Sequence, residues 1–284
     1  MSAISRTRLV QGVNLAALVV FIFLPFILYP LGKLFLLSVR TKAGLSIEPY
    51  LEFFSSPSSI EVIRTSLAIV FASAAIATLT GVALAALLFY LPFRGSALLV
   101  RLMELFVAFP SFLVAFTLIF LYGTQGSVNV FLVHTFHLAH PPIDFLYGFG
   151  GIVFAEVIYY TPFVVRPTLT ALTLIDERVV EAARSLGARP SLVARRVILP
   201  MALPGIVAGS ILCFLFIMNE FGILLVLGSA KLITLPLSIY SAATVDLDLQ
   251  AAATQAAVML VASLSVFVVY RRVTRGGTRS HARG

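Results

Sequence analysis

The chain has 284 residues, of which 60% are hydrophobic and only 11% are charged. An ordinary soluble domain carries about 25% charged residues, so this composition excludes a soluble globular enzyme and indicates an integral membrane protein. The net charge of +8 is expected to reflect arginine-rich cytoplasmic loops rather than nucleic-acid binding, and the single cysteine, Cys213, excludes an intrachain disulfide.

Six apolar stretches are long enough to cross a membrane, since a spanning helix needs about 20 residues. The first follows Arg6 and Arg8 and is too long for the apolar region of a cleaved signal sequence. We therefore predict an all-α membrane protein with six transmembrane helices at Val13–Leu37, Val62–Leu91, Leu98–Tyr122, Gly150–Thr173, Leu203–Leu227 and Ala251–Tyr270.

The distribution of basic residues sets the expected orientation, because basic loops are retained in the cytoplasm. With both termini inside, all but five of the 20 lysines and arginines lie on the cytoplasmic side. The five that remain outside are Lys33, Arg40, Lys42, Arg64 and Lys231. We therefore predict that both termini are cytoplasmic.

The predicted layout divides the chain into three regions. Residues 1–61 hold the N-terminal tail, the first helix and an outer segment. Residues 62–271 hold the other five helices, a charged cytoplasmic loop at 174–202 and an outer loop at 123–149 that is rich in Gly, His and Pro. Residues 272–284 form a basic cytoplasmic tail, which we expect to be disordered and to lie near anionic lipid.

The cytoplasmic loop contains the pattern of a short amphipathic helix. Asp176 and Glu177 suit the positive end of a helix dipole, and Gly187 is a natural stop. Four apolar residues recur at near-helical spacing: Val179, Ala182, Ala183 and Leu186. By itself this pattern fits equally a helix that docks on a partner and one whose apolar stripe rests on lipid.

A longer pattern surrounds this helix. Glu181-Ala182-Ala183 is followed, after three residues, by Gly187 and then, after nine more, by Val197, one further residue and Leu199-Pro200. The pattern resembles the EAA loop of type I ATP-binding-cassette (ABC) importer permeases, which usually have isoleucine where this chain has Val197. In that family the loop also precedes the penultimate transmembrane helix.

The resemblance implies the type I ABC importer transmembrane fold and a permease subunit of the bacterial inner membrane that forms half of a translocation pathway. It also implies that the loop couples this chain to a separate ATPase through Glu181, Ala182, Ala183, Gly187, Val197, Leu199 and Pro200. Glu181 would make polar contacts with the ATPase, the two alanines would permit close approach, and Gly187 would end the helix.

The partners implied by the resemblance are two cytoplasmic ABC ATPase subunits, a second permease that is identical or homologous, an extracytoplasmic substrate-binding protein and membrane lipid, with no nucleic acid. The sequence contains no Gly-x-x-x-x-Gly-Lys-[Ser/Thr] phosphate loop. ATP would therefore be bound by the partner ATPase, and this chain would need no cofactor and would not be an enzyme.

Carboxylates within membrane spans cost about 2.5–3.5 kcal/mol at mid-bilayer and so need a reason. Several permeases of the family that the loop resembles carry a similar Asn-Glu-Phe in the helix that lines the cavity. For Asn219 and Glu220 of the fifth predicted helix the resemblance therefore implies a role in the translocation pathway or its gate, the alternative being hydrogen bonding between helices. For Glu156 of the fourth, pathway lining and structural bonding are equal alternatives. Glu104 is expected to pair with Arg101, three residues away.

The outer loop carries His134, His137 and His140 at three-residue spacing. Pro141-Pro142 follows at once, however, and no complete set of zinc ligands is evident. We therefore predict no metal site and expect these side chains to lie at the membrane interface or to contact an outer partner.

The element Asn219-Glu220-Phe221-Gly222, followed by Thr234-Leu235-Pro236, is similar to permeases for 2-aminoethylphosphonate and close to those for polyamines and ferric iron. The resemblance implies a small polar solute. The first expectation is 2-aminoethylphosphonate, and the others are a polyamine or ferric iron.

Two other classes of function fit the sequence less well. A secondary transporter driven by an ion gradient would carry inverted repeats and midplane ion ligands, and we find no convincing internal repeat. A membrane enzyme would carry a convergent catalytic cluster, and none is evident.

Overall fold

The structure is a computed structural model that describes residues 3–42, 44–91, 93–228 and 232–280, with side chains from residue 18 onward except those of 19, 23 and 275–280. Within these residues the regular structure is helical apart from one antiparallel pair of two-residue strands, Arg40–Thr41 (β1) and Gly44–Leu45 (β2). The predicted all-α class is confirmed.

The helices follow one another along the chain with short connections. Their bounds are α1 Ala3–Val39, α2 Glu48–Ser55, α3 Pro57–Tyr90, α4 Ser96–Val107, α5 Ser111–Tyr122, α6 Ser127–Phe136, α7 Phe149–Thr173, α8 Glu177–Ser185, α9 Pro190–Val193, a π-helical turn at Ala194–Ile198, α10 Leu199–Met218, α11 Gly222–Leu227, α12 Leu235–Thr244 and α13 Leu249–Ser280.

Within the described residues, six helical segments are long and apolar enough to cross a membrane, which confirms the predicted number. They are Val20–Val39, Pro57–Tyr90, Ser111–Phe136, Phe149–Thr173, Pro190–Met218 and Leu249–Thr274. All six overlap the predicted helices, although the third and fifth share only residues 111–122 and 203–218 with them. Helices suit this environment because they satisfy their backbone polar groups internally where no water is available.

The third predicted helix, Leu98–Tyr122, is wrong as one continuous helix, because the chain leaves helical geometry at Pro110. Pro110 cannot donate a backbone hydrogen bond and disfavours helical geometry at the residue before it, so α4 ends at Val107 and α5 begins at Ser111. The third segment of membrane length instead joins α5 to α6. Part of the predicted outer loop is therefore helical.

The fifth predicted helix, Leu203–Leu227, is displaced towards the N-terminus in the structure. A continuous rod runs through α9, the π-helical turn and α10 and ends at Met218, before α11 begins. In the turn, the Leu199 N–H bonds to the Ala194 carbonyl, five residues earlier. The next residue, Pro200, has no N–H for the carbonyl four positions before it, so the wider turn lies where an α-helix would lose a bond.

The expectation of a disordered tail after residue 271 is wrong for the part that the structure describes. Helix α13 continues through Ser280, and residues 281–284 lie outside the described residues. The sequence has no proline after Pro236, so no residue of this tail is barred from donating the backbone bonds that extend a helix.

The chain packs as two compact units: Met1–Ile60 with Ser238–Met259, and Glu61–Leu237 with Leu260–Gly284. In the first unit, buried Ser38 connects three helices. Its hydroxyl lies 2.6 Å from the Tyr50 hydroxyl of α2, and its carbonyl accepts a bond of 3.3 Å from the Thr254 hydroxyl of α13.

In the second unit, α7 contributes to three buried apolar clusters in succession. Its first part, including Ile152, packs with α3, α5 and α11. Its middle, including Val164, packs with α3 and α10. Its last part, including Leu172, packs with the end of α3, with α9 and with the start of α10. Helix α7 is therefore the element that links the successive layers of this unit.

Candidate functional site

Helix α8 begins and ends with local signals that the sequence contains. The Asp176 carboxylate accepts a bond of 2.9 Å from the Arg178 N–H, which caps the first turn. At the other end Gly187 adopts a left-handed conformation, with φ of +79°, and its N–H bonds to the Arg184 carbonyl at 2.9 Å. Glycine adopts this conformation without the steric cost that a side chain adds.

One side of α8 packs against the protein and the other is open. Val180 and Ala183 contact the buried cluster that contains Val193 and Ile198. The residues on the open side include Glu181 and Ala182.

The apolar stripe predicted from the sequence is therefore divided. Ala183 packs inward, whereas Val179 is 42% exposed and Leu186 is 89% exposed. An apolar side chain as exposed as Leu186, at the end of a helix that already buries its other side, leaves a surface that a partner or lipid could cover.

The remaining residues of the EAA-like pattern lie in two places. Val197 belongs to the π-helical turn and packs against the same cluster as Ala183. Leu199 and Pro200 are exposed and line a shallow apolar hollow beside α3. The structure thus brings Ala183 and Val197 together, and places Leu199 and Pro200 on a different face of the rod.

A polar cluster lies at the break between α10 and α11, where Glu220 is 5% exposed. One carboxylate oxygen accepts bonds from the Ser111 hydroxyl at 2.8 Å and from the Ile223 N–H at 2.8 Å. The other accepts a short bond from the Tyr160 hydroxyl. The carboxylate therefore caps α11, reaches the first residue of α5 and is held by α7.

Tyr159, which is next to Tyr160 in α7, binds a second helix break, the one between α4 and α5. The Tyr159 hydroxyl donates to the Phe109 carbonyl at 2.8 Å, in the interruption between α4 and α5. Adjacent tyrosines of α7 thus bind both interrupted segments. We call Ser111, Tyr159, Tyr160 and Glu220 the polar junction.

The three predicted pathway residues have different surroundings. Asn219 is exposed; its amide donates to the Leu215 carbonyl at 2.7 Å, and its side-chain oxygen accepts a bond of 3.1 Å from the Ser263 hydroxyl of α13. Glu220 is enclosed in the polar junction. A pathway role for either residue stays a prediction.

Glu156 is fully buried in α7, at 0% exposure. Neither carboxylate oxygen meets the geometry of a hydrogen bond to any described residue, although the Ser73 hydroxyl of α3 lies beside it. A carboxyl group in such surroundings is costly as an anion. Its role in the pathway also stays a prediction.

Glu104 does not pair with Arg101, which the local spacing favoured. Its carboxylate lies 3.3 Å from the Arg166 Nε of α7. The sequence contains both residues but gives no sign of their pairing, because they lie on different helices. The partners of Glu220 were missed for the same reason. The prolines in Phe109-Pro110 and Tyr160-Thr161-Pro162 indicate kinked helices, but they do not indicate which residues bind each other.

The outer histidines lie at the end of α6. His137 has a left-handed backbone, with φ of 52°, and terminates the helix. Among the described residues, no group of three or more His, Cys, Asp or Glu side chains is arranged to hold a metal ion.

Residues 77–276 match the family described as "Binding-protein-dependent transport system inner membrane component". The chain belongs to this family. It is an inner-membrane permease subunit of a transport system, and the resemblance to type I ABC importer permeases is confirmed.

Two curated relatives cover most of the chain. The "Putative 2-aminoethylphosphonate transport system permease protein PhnU" of Salmonella choleraesuis (strain SC-B67) is 37% identical over 254 residues, which are 89% of this chain and 89% of that protein. The "Spermidine/putrescine transport system permease protein PotC" of Escherichia coli (strain K12) is 25% identical over 275 residues, 96% of this chain and 97% of that protein.

Solved structures share the fold. A bacterial ABC transporter involved in the import of the acidic polysaccharide alginate contains a chain that superposes with a TM-score of 0.76 at 18% identity, covering 95% of this chain and 98% of that one. An inward-facing structure of the MetNI methionine ABC transporter gives a TM-score of 0.56 at 17% identity, with 77% and 95% coverage.

The polar junction makes a prediction about stability. Tyr160→Phe removes a donor to a buried carboxylate, and Glu220→Leu removes the acceptor. We expect a double-mutant cycle of the two to give a coupling free energy of about 0.6–1.7 kcal/mol, as for hydrogen bonds between membrane helices. The measurement is unfolding of the purified protein in detergent. Tyr122→Phe, which removes a hydroxyl with no such bond to Glu220, is the control. Additive effects of the two junction variants would show that the bond does not hold the helices together.

Proposed function

We propose that this chain forms one half of the membrane pathway of an ATP-driven importer for 2-aminoethylphosphonate, and that α8 couples it to an ATPase. The main support for the coupling role is the exposed side of α8, with Glu181, Ala182 and Leu186 uncovered at the end of a well-capped helix. The sequence carries no phosphate loop, so ATP is bound by a separate subunit and this chain needs no cofactor and catalyses no reaction.

The complete transporter would contain two ABC ATPase subunits, a second permease that is identical or homologous, and an extracytoplasmic binding protein. Six membrane helices line only half of a pathway, which is why a second permease is required. Lipid surrounds the helices, and no nucleic acid takes part.

The mechanism is alternating access. The loaded binding protein docks outside, and ATP binding brings the two ATPase subunits together. Movement of α8 reaches the membrane through the cluster that Val180 and Ala183 share with the rod of α9 and α10. Because Leu172 of α7 belongs to that cluster, the movement extends to α7, whose tyrosines hold the helix breaks. The pathway then opens outward, and hydrolysis resets it.

The names of the relatives support this choice of substrate. The relative at 37% identity carries 2-aminoethylphosphonate in its name, and the one at 25% carries spermidine and putrescine. The higher identity favours the phosphonate over a polyamine, and ferric iron has the least support. The Asn219-Glu220-Phe221-Gly222 element supports the same choice through the resemblance.

Transport by the reconstituted system tests the substrate. The permease and ATPase are reconstituted into proteoliposomes, and the binding protein is added. These proteoliposomes should accumulate radiolabelled 2-aminoethylphosphonate only when ATP is present on the side of the membrane where the ATPase lies. Excess unlabelled putrescine should not reduce this uptake. ATP-dependent accumulation of putrescine or spermidine, with none of the phosphonate, would contradict the proposal.

Two substitutions at Gly187 test the coupling role of α8. Valine in a left-handed conformation costs roughly 1–2 kcal/mol or more, whereas asparagine tolerates it. We expect Gly187→Val to abolish the stimulation of ATPase activity by loaded binding protein, and Gly187→Asn to retain most of it. Glu181→Lys should also abolish stimulation. Each variant must insert and be recovered from the membrane in normal amounts, and full stimulation of Gly187→Val would disprove the coupling role.

The orientation, with both termini in the cytoplasm, rests on the basic residues and is tested by labelling. In a Cys213→Ala background, which removes the buried native thiol, exposed Ser58 and Ser191 are replaced singly by cysteine. A membrane-impermeant maleimide should label Ser58→Cys in intact spheroplasts, and Ser191→Cys only after permeabilisation. The reverse pattern would invert the topology.

A further inference from the structure

A charged pair between α4 and the membrane helix α7 has no place in the coupling or in the polar junction. The Nε of Arg166 in α7 lies 3.3 Å from a carboxylate oxygen of Glu104 in α4. The pair is open to its surroundings, with the Arg166 side chain 73% exposed and that of Glu104 43% exposed. Arg166 lies in a membrane span. Because an ionisable residue in a span usually faces a partner, a cavity or a pathway, the exposure of its side chain needs an explanation.

Arg166 lies in the half of α7 that follows the polar junction. It follows Tyr160 of the polar junction by six residues and precedes the last residue, Thr173, by seven. At 1.5 Å per residue these separations are about 9 Å and about 10 Å. Under the proposed orientation, a solute that has passed the junction would meet the pair before it reaches the cytoplasm.

A hollow of about 250 Å³ lies at the pair. Arg166 and Glu104 supply its charges, and its walls include Met103, Val107 and Phe163. An apolar hollow with a few polar groups at one point is the usual form of a small-molecule site, in which the polar groups orient the ligand.

The two charges differ in sign, which limits the ligand. A polyamine or a metal cation would be repelled by Arg166, and a simple dianion would be repelled by Glu104. A zwitterion with an anionic and a cationic end matches both. The guanidinium group binds tetrahedral oxyanions through two parallel N–H bonds, and a carboxylate accepts bonds from an ammonium group.

The pair is also easily opened. In a water-filled pathway, which the proposed function implies, an ion pair with both partners exposed contributes little to stability. A ligand that replaces each partner by its own opposite charge would then lose little on entering. The short two-carbon chain of 2-aminoethylphosphonate would lie against the apolar wall.

We propose that Arg166 and Glu104 form a weak binding site for a small aminophosphonate zwitterion, with the phosphonate on Arg166 and the ammonium group on Glu104. This inference rests on the proposed function and extends it, since it assigns part of the substrate selectivity to the permease itself and not only to the binding protein.

The test is phosphorus NMR of the purified complex of permease and ATPase without the binding protein. The probe is 2-aminoethylphosphonate, whose ³¹P line should broaden when it exchanges with the complex. Arg166→Gln should weaken binding by about tenfold or more, because it removes a charge-assisted pair of bonds. Arg166→Lys should give an intermediate value. Arg101→Gln removes a nearby exposed arginine of the same helix as Glu104 and should leave the broadening unchanged.

Glu104→Gln separates recognition of the ligand from a structural role of the pair. Ethylphosphonate lacks the amine, and the unmodified complex should bind it less tightly than 2-aminoethylphosphonate. In Glu104→Gln this difference should disappear, whereas a merely structural pair would weaken both probes equally. Unfolding in detergent, measured for each variant, shows whether the helices remain packed.

The outcomes distinguish this inference from the proposed function. ATP-dependent uptake of 2-aminoethylphosphonate together with broadening that Arg166→Gln leaves unchanged would overturn the site and preserve the function. Absence of that uptake in the complete system would overturn the function. Broadening that is lost in Arg166→Gln, with discrimination lost in Glu104→Gln, would establish the site.

Discussion

The arrangement of helices around the break between α10 and α11, in the second unit, depends on the hydrogen bonds to the Glu220 carboxylate. A buried carboxylate in a membrane protein has no water to solvate it, so its oxygens must be satisfied by protein donors. Here the donors are Ser111, Tyr160 and the backbone of Ile223. The same bonds that satisfy the carboxylate let the chain leave helical geometry between α10 and α11, and hold three helices at that point.

Helix α7 connects the polar junction to the buried cluster that α8 contacts. The tyrosines of the polar junction lie towards its middle, Arg166 follows, and Leu172 packs near its end with the cluster that α8 contacts. Pro162 and Pro167 lie within the same helix, and each removes one backbone hydrogen bond. The helix therefore has two weakened positions between the region that would receive movement from the ATPase and the region that holds the helix breaks.

The sequence predicted the parts of the fold that local rules determine. Composition and apolar length predicted six membrane helices, and Asp176 with Gly187 predicted the start and the end of α8. The same local rules misplaced the third and fifth helices. Pro110 signals a kink, but whether a helix bends or ends there depends on what satisfies the freed backbone groups, which in this case includes Tyr159, fifty residues away.

The pairing of charged and polar residues was harder to predict from the sequence, for the same reason. Spacing favoured Arg101 for Glu104, and the structure supplies Arg166 from another helix. Periodicity likewise grouped Val179, Ala183 and Leu186 on one stripe, whereas the packing divides them. A single sequence contains the residues of such contacts, but only the arrangement of helices determines which of them meet.

Within the polar junction, three donors bind the single carboxylate of Glu220. Loss of a single donor, at position 111 or 160, leaves the carboxylate with its remaining bonds. Loss of the carboxylate leaves a tyrosine hydroxyl, a serine hydroxyl and a backbone N–H without their acceptor at once, and aspartate would be shorter by one methylene. As sequences of this kind diverge, drift should therefore begin at the donor positions, and position 220 should be among the last to change.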